Sequence, residues 1–403
     1  MAATLLITLS GLDRPGVTRT LFDALSTFPV RVLDVEQLVV RGSLILAVLV
    51  EVDGDEAAVT STRTEVRRAA AELDMDVQTV VGAAEDVDRR RNRIHVTVMG
   101  APLLPTAVAA LAAEIADRGG NIDRIRRIAS YPVTALVFEG SGVTSTELRR
   151  PLAEVAARHH ADVAVQDAAI DRRGQFLIVM DVDSTFIQDE VIDLLADEAG
   201  VMEQVAHITE EAMAGRLDFE QSLRARVELL RGLSVEAIDR VRDRITLTPG
   251  ARTLCRTLNR LGYRIALVSG GFHEVIDPVA SDLGVDKVRA NRLEVEDGRL
   301  TGRVFGPIVD REGKRQALED FAAEYGIPQR RTIAIGDGAN DIDMLEAAGL
   351  GVAFNAKAAA QDAADTAVNV PYLDSVLFLL GITREEIEVA DERDEQDQGR
   401  ATT

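Results

Sequence analysis

A chain of 403 residues is too long for one ordinary domain, and 46% hydrophobic content is normal for a globular protein with well-formed cores. A formal net charge of −22 argues against nucleic-acid binding, which needs a basic surface, and disfavours docking on anionic lipid. The single cysteine, Cys255, allows no disulfide within the chain, so a reducing, cytoplasmic setting is expected.

The N-terminus lacks a basic segment followed by a long apolar one, so no signal peptide is expected. No stretch approaches ~18 uninterrupted apolar residues, so no membrane span is expected either. Lysine is scarce: only Lys287, Lys314 and Lys357 occur, and each draws attention in a background where arginine is the usual cation.

Residues 1–84 read as a small unit of order βαββαβ. "TLLITLSG" is strand-like, and "RPGVTRTLFDALSTF" is an amphipathic helix entered through a Pro-Gly turn. "VRVLDVEQLVVRGSLILAVLVEV" holds two strands, followed by a helix in "DEAAVTSTRTEVRRAAAEL" and a strand in "MDVQTVV". Residues 92–168 repeat this order from "RIHVTVMG" to "ADVAVQ", which predicts tandem modules of ferredoxin-like type. The charged stretch "AAEDVDRRRNR" between them is expected to be an exposed linker.

From about residue 175 to 382 the texture becomes that of α/β alternation, the pattern of a Rossmann-like parallel sheet covered by helices. Strands are expected at 176–180, 264–269, 332–336 and 350–354. Residues 189–247, helical throughout, read as an insertion over the sheet. "LEVEDGRLTGRV" is a hairpin turning at Asp297-Gly298. The polar tail 383–403 is expected to be disordered.

Three strands end in polar loops, "DVDST", "SGGF" and "GDGAND". In a parallel sheet these ends share one edge, where ligands bind. Asp181 and Asp183 stand two apart, so in an extended segment they face one side; Asp337 and Asp341 arrive from the third loop. Such hard oxygens suit Mg²⁺, whereas one cysteine and five scattered histidines make no zinc set. Ser269 and Gly270 precede a helix start near His273, and Lys314 heads another helix. An anion hole, a cation and a hard metal together imply a phosphate. Each piece has a plainer reading: an N-cap at Ser184 or Thr185, a turn in "GDGAND", a solvated Lys314. The ordered set makes coincidence a poor explanation.

Residues 175–380 resemble the haloacid dehalogenase superfamily of aspartate-nucleophile phosphohydrolases, and within it the members acting on L-phosphoserine. The resemblance implies Asp181 as nucleophile and Asp183 as general acid/base, with Ser269 and Lys314 holding the phosphoryl group. It implies Mg²⁺ on Asp181, Asp337 and Asp183, the last through its backbone carbonyl, with Asp341 in support. Glu190 matches an ammonium-binding acid and Arg226 a carboxylate-binding arginine; Met213 and Phe219 match apolar cap residues, and Gly270 and Asn340 further substrate contacts. The reaction implied is hydrolysis of L-phosphoserine to L-serine and phosphate through an aspartyl-phosphate, the last step of serine biosynthesis.

The N-terminal repeats resemble ACT domains, the amino-acid-sensing modules, with "GLDRPGV" as their first loop. This implies an effector such as serine at Gly11, Asp13, Arg14 and Gly16, and at Gly100 in the second copy, within a homodimer. The second copy reads "GAPLLPTAV", without the Asp-Arg-Pro-Gly, which puts its ligand site in doubt. Rival readings are modules that serve only dimerisation, a phosphatase for another small phosphoester, and a regulatory protein with a vestigial phosphatase half. His273 adjoins the anion loop, and the other histidines read as structural.

Overall fold

The computed structural model describes residues 3–83, 92–168, 174 and 176–401, without the side chains of Met213 and 393–401. Most of the 83–93 linker therefore lies outside the described residues. The chain divides into two compact units, Met1–Arg89 and Arg90–Thr403.

In the first unit the order is β1 (Ala3–Leu12), α1 (Val17–Leu25), β2 (Val30–Val40), β3 (Ser43–Val52), α2 (Glu56–Glu72) and β4 (Asp76–Ala83). The sheet is antiparallel, ordered β2-β3-β1-β4. Alternation sets its inner face: Leu5, Ile7 and Leu9 of β1 and Leu46, Val48 and Val50 of β3 are buried with Leu21 of α1 and Val66 of α2. Asp55 starts α2 by accepting from the backbone N–H groups of Ala57 and Ala58.

The second unit opens with the repeat: β5 (Ile94–Gly100), α3 (Pro105–Asp117), β6 (Asn121–Ala129), β7 (Thr134–Ser141), α4 (Ser145–Arg158) and β8 (Asp162–Asp167), with strand order β6-β7-β5-β8. A capping box between Thr144 and Glu147 begins α4. Its sheet does not stand alone. Met99, Ile128, Val137 and Ala164 join the main core of the following domain. Edge strand β8 is held there by polar bonds: Asn369 donates from both its backbone N and its Nδ2 to Asp162, each at 2.8 Å.

Beyond it come β9 (Leu177–Met180), a helical insertion of α5 (Val191–Ala199), α6 (Met202–Met213), α7 (Phe219–Glu228) and α8 (Val235–Arg244), then α9 (Ala251–Arg260), β10 (Arg264–Phe272), α10 (His273–Asp282), β11 (Lys287–Glu296) and β12 (Arg299–Phe305). The remainder is α11 (Arg311–Glu324), β13 (Thr332–Gly336), α12 (Ile342–Ala347), β14 (Leu350–Phe354), α13 (Ala358–Ala363), β15 (Thr366–Val368), α14 (Val376–Leu379) and α15 (Arg384–Ala401). The sheet runs β12-β11-β10-β9-β13-β14-β15, parallel except for β12.

Helices cover both faces, so the central strands are apolar on both sides. Ile178 and Met180 of β9 enter one core cluster, and the alternate Leu177 and Val179 enter the other. The predicted hairpin turns at Asp297 and Gly298, both at positive φ. Sequence reading placed no strand in the first half of β11, which pairs parallel to β10 before the hairpin begins.

The cap rises from a narrow neck. Ile187 and Leu247 form a lone bridge, and Gln188 N donates to Thr246 O at 2.9 Å. The tail corrects an expectation: Arg384–Ala401 is helical, not disordered. Thr383 and Glu386 make a reciprocal cap, Ile387 is buried, and Asp391 pairs with Arg260 at 2.6 Å. "TREE" is a capping box that charge content hid.

Candidate active site

Because β9 lies between β10 and β13, the loops after these three strands meet at one edge, as expected. β9 ends at Met180, and a wide turn follows, closed by Ile187 N donating to Val182 O at 2.9 Å, with Ser184 at φ +57°. The turn, not strand alternation, places the two aspartates. Asp181 Oδ1 accepts from Val182 N at 2.7 Å and meets Lys314 Nζ at 2.6 Å. Asp183 accepts from Val191 N at 2.7 Å and from Ser269 Oγ at 3.0 Å. The N-cap reading of "DST" gives way: Ser184 Oγ donates to Glu190 Oε1 and Thr185 Oγ1 to Asp337 Oδ1.

Lys314 is 1% exposed and joins Asp181 to Asp341, whose Oδ1 lies 2.7 Å from its Nζ. Asp310 starts α11 by accepting from Gly313 N, which sets the lysine one turn into the helix. Asp341 Oδ2 accepts from Gly338 N. A methyl on Gly336 would collide with the Asp341 carboxyl, so the strand end must be glycine there.

Asp181, Asp337 and Asp341 each offer an oxygen within 4.8 Å of the others, a group able to hold a metal ion. Both Asp341 oxygens are already bonded, whereas Asp181 Oδ2 and Asp337 Oδ2 have no hydrogen bond among the described residues. The Asp183 carboxylate points elsewhere, to Val191 and Ser269.

Four carboxylates face one buried ammonium, and the electrostatics follow. Burial, then the Asp341 charge, pushes Asp181 well above the usual carboxylate range. Burial also raises Asp183 and Asp337. At Lys314 burial opposes the charge, but Asp181 and Asp341 more than offset it and hold the ammonium protonated. A divalent cation would relieve this excess of negative charge, so the donor set fits one.

Ser269 Oγ accepts from Gly271 N at 2.7 Å while donating to Asp183. Phe219 of the cap reaches down to Gly270: a Cβ there would lie 3.1 Å from its ring. Asn340 packs against Gly338 in the third loop. Glu190 is exposed and Arg226 half-buried, near enough that the Glu190 and Asp183 charges act on the guanidinium. Solvent reaches Glu190, yet burial, with the Asp183 charge, pushes its carboxyl to about 7. Burial lowers the Arg226 pKa against the opposing charges of Asp193 and Glu190. The side chain of Met213 lies outside the described residues.

Several contributors escaped sequence reading. Lys357 N donates to Asp337 O at 3.0 Å, and its charge favours ionised Asp337; lysine scarcity was the available signal. Thr248 Oγ1 donates to Thr185 O at 2.7 Å, tying the cap neck to the first loop. Asn291, fully buried, carried no signal. His273 accepts from Ala290 N at Nε2 and faces Asp277 through Nδ1, so it braces β11 against the start of α10.

In the first unit, Gly11 lies one residue before the end of β1, Asp13 N donates to Gly42 O at 2.8 Å, Arg14 is exposed, and Gly16 at φ +99° precedes α1. In the second unit, Gly100 is buried at the end of β5.

Residues 178–346 match the model of haloacid dehalogenase-like hydrolases, and 3–80 and 94–166 each match an ACT domain. The chain is 54% identical to the phosphoserine phosphatase of Streptomyces coelicolor, over 96% of this chain and 94% of that one. It is 50% identical to phosphoserine phosphatase SerB2 of Mycobacterium tuberculosis, over 97% and 96%. Among solved structures, a probable phosphoserine phosphatase from Vibrio cholerae matches with a TM-score of 0.59 at 34% identity, covering 74% of this chain and 88% of that one. The fold and site define a haloacid dehalogenase-type hydrolase carrying two ACT domains. Within that class the chain belongs to the phosphoserine phosphatases.

Among the described residues no helix is long and apolar enough to cross a membrane.

Proposed function

We propose that this chain hydrolyses L-phosphoserine to L-serine and phosphate through an aspartyl-phosphate on Asp181, as the last step of serine biosynthesis, with Mg²⁺ as the resident metal. The observation that carries the reading is the buried Asp181–Lys314–Asp341 bridge beside Ser269 and Asp183. Lys314 and Val182 N hold Asp181 Oδ1, which orients the carboxylate for in-line attack on phosphorus. Lys314 and Ser269 hold the phosphoryl oxygens as negative charge shifts.

Asp183 protonates the departing serine oxygen, then takes a proton from the water that cleaves the acyl phosphate. Burial raises its pKa, which suits it to carry that proton. Asp181 and Asp337, with the Asp183 carbonyl, would hold Mg²⁺ and Asp341 would support them; the ion would supply charge compensation between carboxylate and phosphate. Glu190 receives the substrate ammonium and Arg226 its carboxylate, the latter suited to a planar two-point contact. Phe219, Gly270 and Asn340 would complete the enclosure, and the cap would exclude bulk water.

The ACT modules would bind serine or another amino acid at Gly11, Asp13, Arg14 and Gly16, with Gly100 in the second, and reduce activity in a homodimer of a cytoplasmic enzyme. The domains proposed are 1–84, 92–168 and 175–382.

The test is phosphate release from L-phosphoserine and a panel of sugar phosphates with Mg²⁺, for wild type and Asp181→Asn. Turnover of phosphoserine that vanishes in the variant supports the reading. Equal turnover of sugar phosphates would remove the zwitterion roles of Glu190 and Arg226.

A further inference from the structure

β10 and β11 pair in register through Val268 and Arg289, and again through Phe272 and Asn291. Between these points Ser269, Gly270 and Gly271 stand opposite Ala290 alone, so the phosphate loop bulges from the ladder. The one-to-one pairing of the ladder is interrupted along the loop proposed to hold phosphoryl oxygens.

One side chain repairs this. Asn291 is fully buried, and its Nδ2 donates to Gly270 O at 2.8 Å. On its other side Oδ1 accepts from Val309 N at 2.9 Å. Val309 immediately precedes Asp310, whose carbonyl accepts from Lys314 N at 2.9 Å in the first turn of α11. A single carboxamide thus connects the Ser269 loop to the entry of the lysine helix. Its orientation follows from its partners, a carbonyl on one side and an N–H on the other. Carboxylate would offer two acceptors and a buried charge, and an aliphatic chain would leave both backbone groups unpaired.

We propose that Asn291 is a positioning residue for phosphoryl transfer, holding Ser269–Gly271 and Lys314 at a fixed separation. This rests on the reading of the site as a phosphatase. Neither Glu190 nor Arg226 hydrogen-bonds Asn291, so zwitterion recognition is separate from this clamp.

The test compares wild type, Asn291→Ala and Asn291→Asp for Tm, for kcat and KM on L-phosphoserine and p-nitrophenyl phosphate, and for orthovanadate affinity by calorimetry. In folded Asn291→Ala, kcat falls about thirtyfold, KM for phosphoserine changes less than about threefold, and orthovanadate weakens in step with kcat. Asn291→Asp, an acceptor only when ionised, loses kcat likewise, and its kcat relative to wild type rises as pH is lowered and the carboxyl regains a proton to donate. Should Asn291→Ala not fold, Asn291→Ser and Asn291→Asp carry the comparison. Unchanged kcat and orthovanadate affinity with only a lower Tm would overturn the proposal. Wild type that cleaves p-nitrophenyl phosphate but not phosphoserine would remove the substrate assignment, while the orthovanadate comparison would still decide on Asn291.

Discussion

The ring of Phe219, on the cap, lies so near Gly270, on the phosphate loop, that a methyl group added at 270 would sit 3.1 Å from it. Cap and sheet therefore meet at a position where an added methyl would be tight against the ring. Gly270→Ala is expected to push the cap outward and lower kcat/KM for phosphoserine about tenfold, with little change in Tm. Phe219→Ala in the same chain should recover part of the loss, because it removes the clash; a double-mutant cycle measures that coupling.

Lys314 is the sole buried cation among the described residues that bridges the catalytic carboxylates. Lys314→Met leaves Asp181 and Asp341 facing each other without compensation. The expected result is loss of turnover together with destabilisation of about 3–5 kcal/mol, because a broken buried pair leaves uncompensated charge. Calorimetric unfolding and a phosphate-release assay check both halves. A stable but inactive variant would show that the lysine serves chemistry alone.

Glu190 is expected to set a pH limb. Burial and the Asp183 charge push its carboxyl to about 7, so if it receives the substrate ammonium as proposed, binding should weaken below that pH. As pH rises through this value the carboxylate forms and kcat/KM increases. A cation on the neighbouring aspartates moves the limb down, never up, since it favours the charged form. Glu190→Gln should flatten the limb and lower kcat/KM; a limb unchanged in that variant would assign it to another group.

Asp162 fastens the second ACT module to the catalytic domain by accepting twice from Asn369. Asp162→Ala leaves these donors unpaired and is expected to cost about 1–3 kcal/mol. Denaturant unfolding of the full chain would read this as an earlier transition, with basal kcat unchanged.

Much of the frame was legible because the signals are local. "TIAIG" and "LGVAF" are short apolar runs between turn formers, and β13 and β14 occupy those residues. Both βαββαβ repeats showed in alternation and helical period. The site's residue types were legible for a different reason, since strand ends in a parallel sheet must converge. What stayed hidden depends on chain paths that no periodicity encodes. The wide turn that aims Asp183 at Ser269 needs Ser184 at positive φ. Asn291 is one amide in "RANRLEVED", and only the bulge beside it makes both its ends necessary. The second ACT module reads in the sequence as a βαββαβ unit of its own, yet its sheet shares a core with the catalytic domain, and Thr366 Oγ1 donates to Val163 O at 2.7 Å between them. Contacts two hundred residues apart in sequence leave no trace in it.

Covalent catalysis by Asp181 requires a phosphorylated enzyme intermediate. Mixing enzyme with phosphoserine, quenching in acid within a turnover and mapping peptides by mass spectrometry tests it most directly. The expected result is a phosphoryl group on the peptide carrying Asp181, removed by hydroxylamine as an acyl phosphate would be, and absent in Asp181→Asn. Rapid phosphoserine turnover with no labelled peptide, or a label on any other residue, would contradict it.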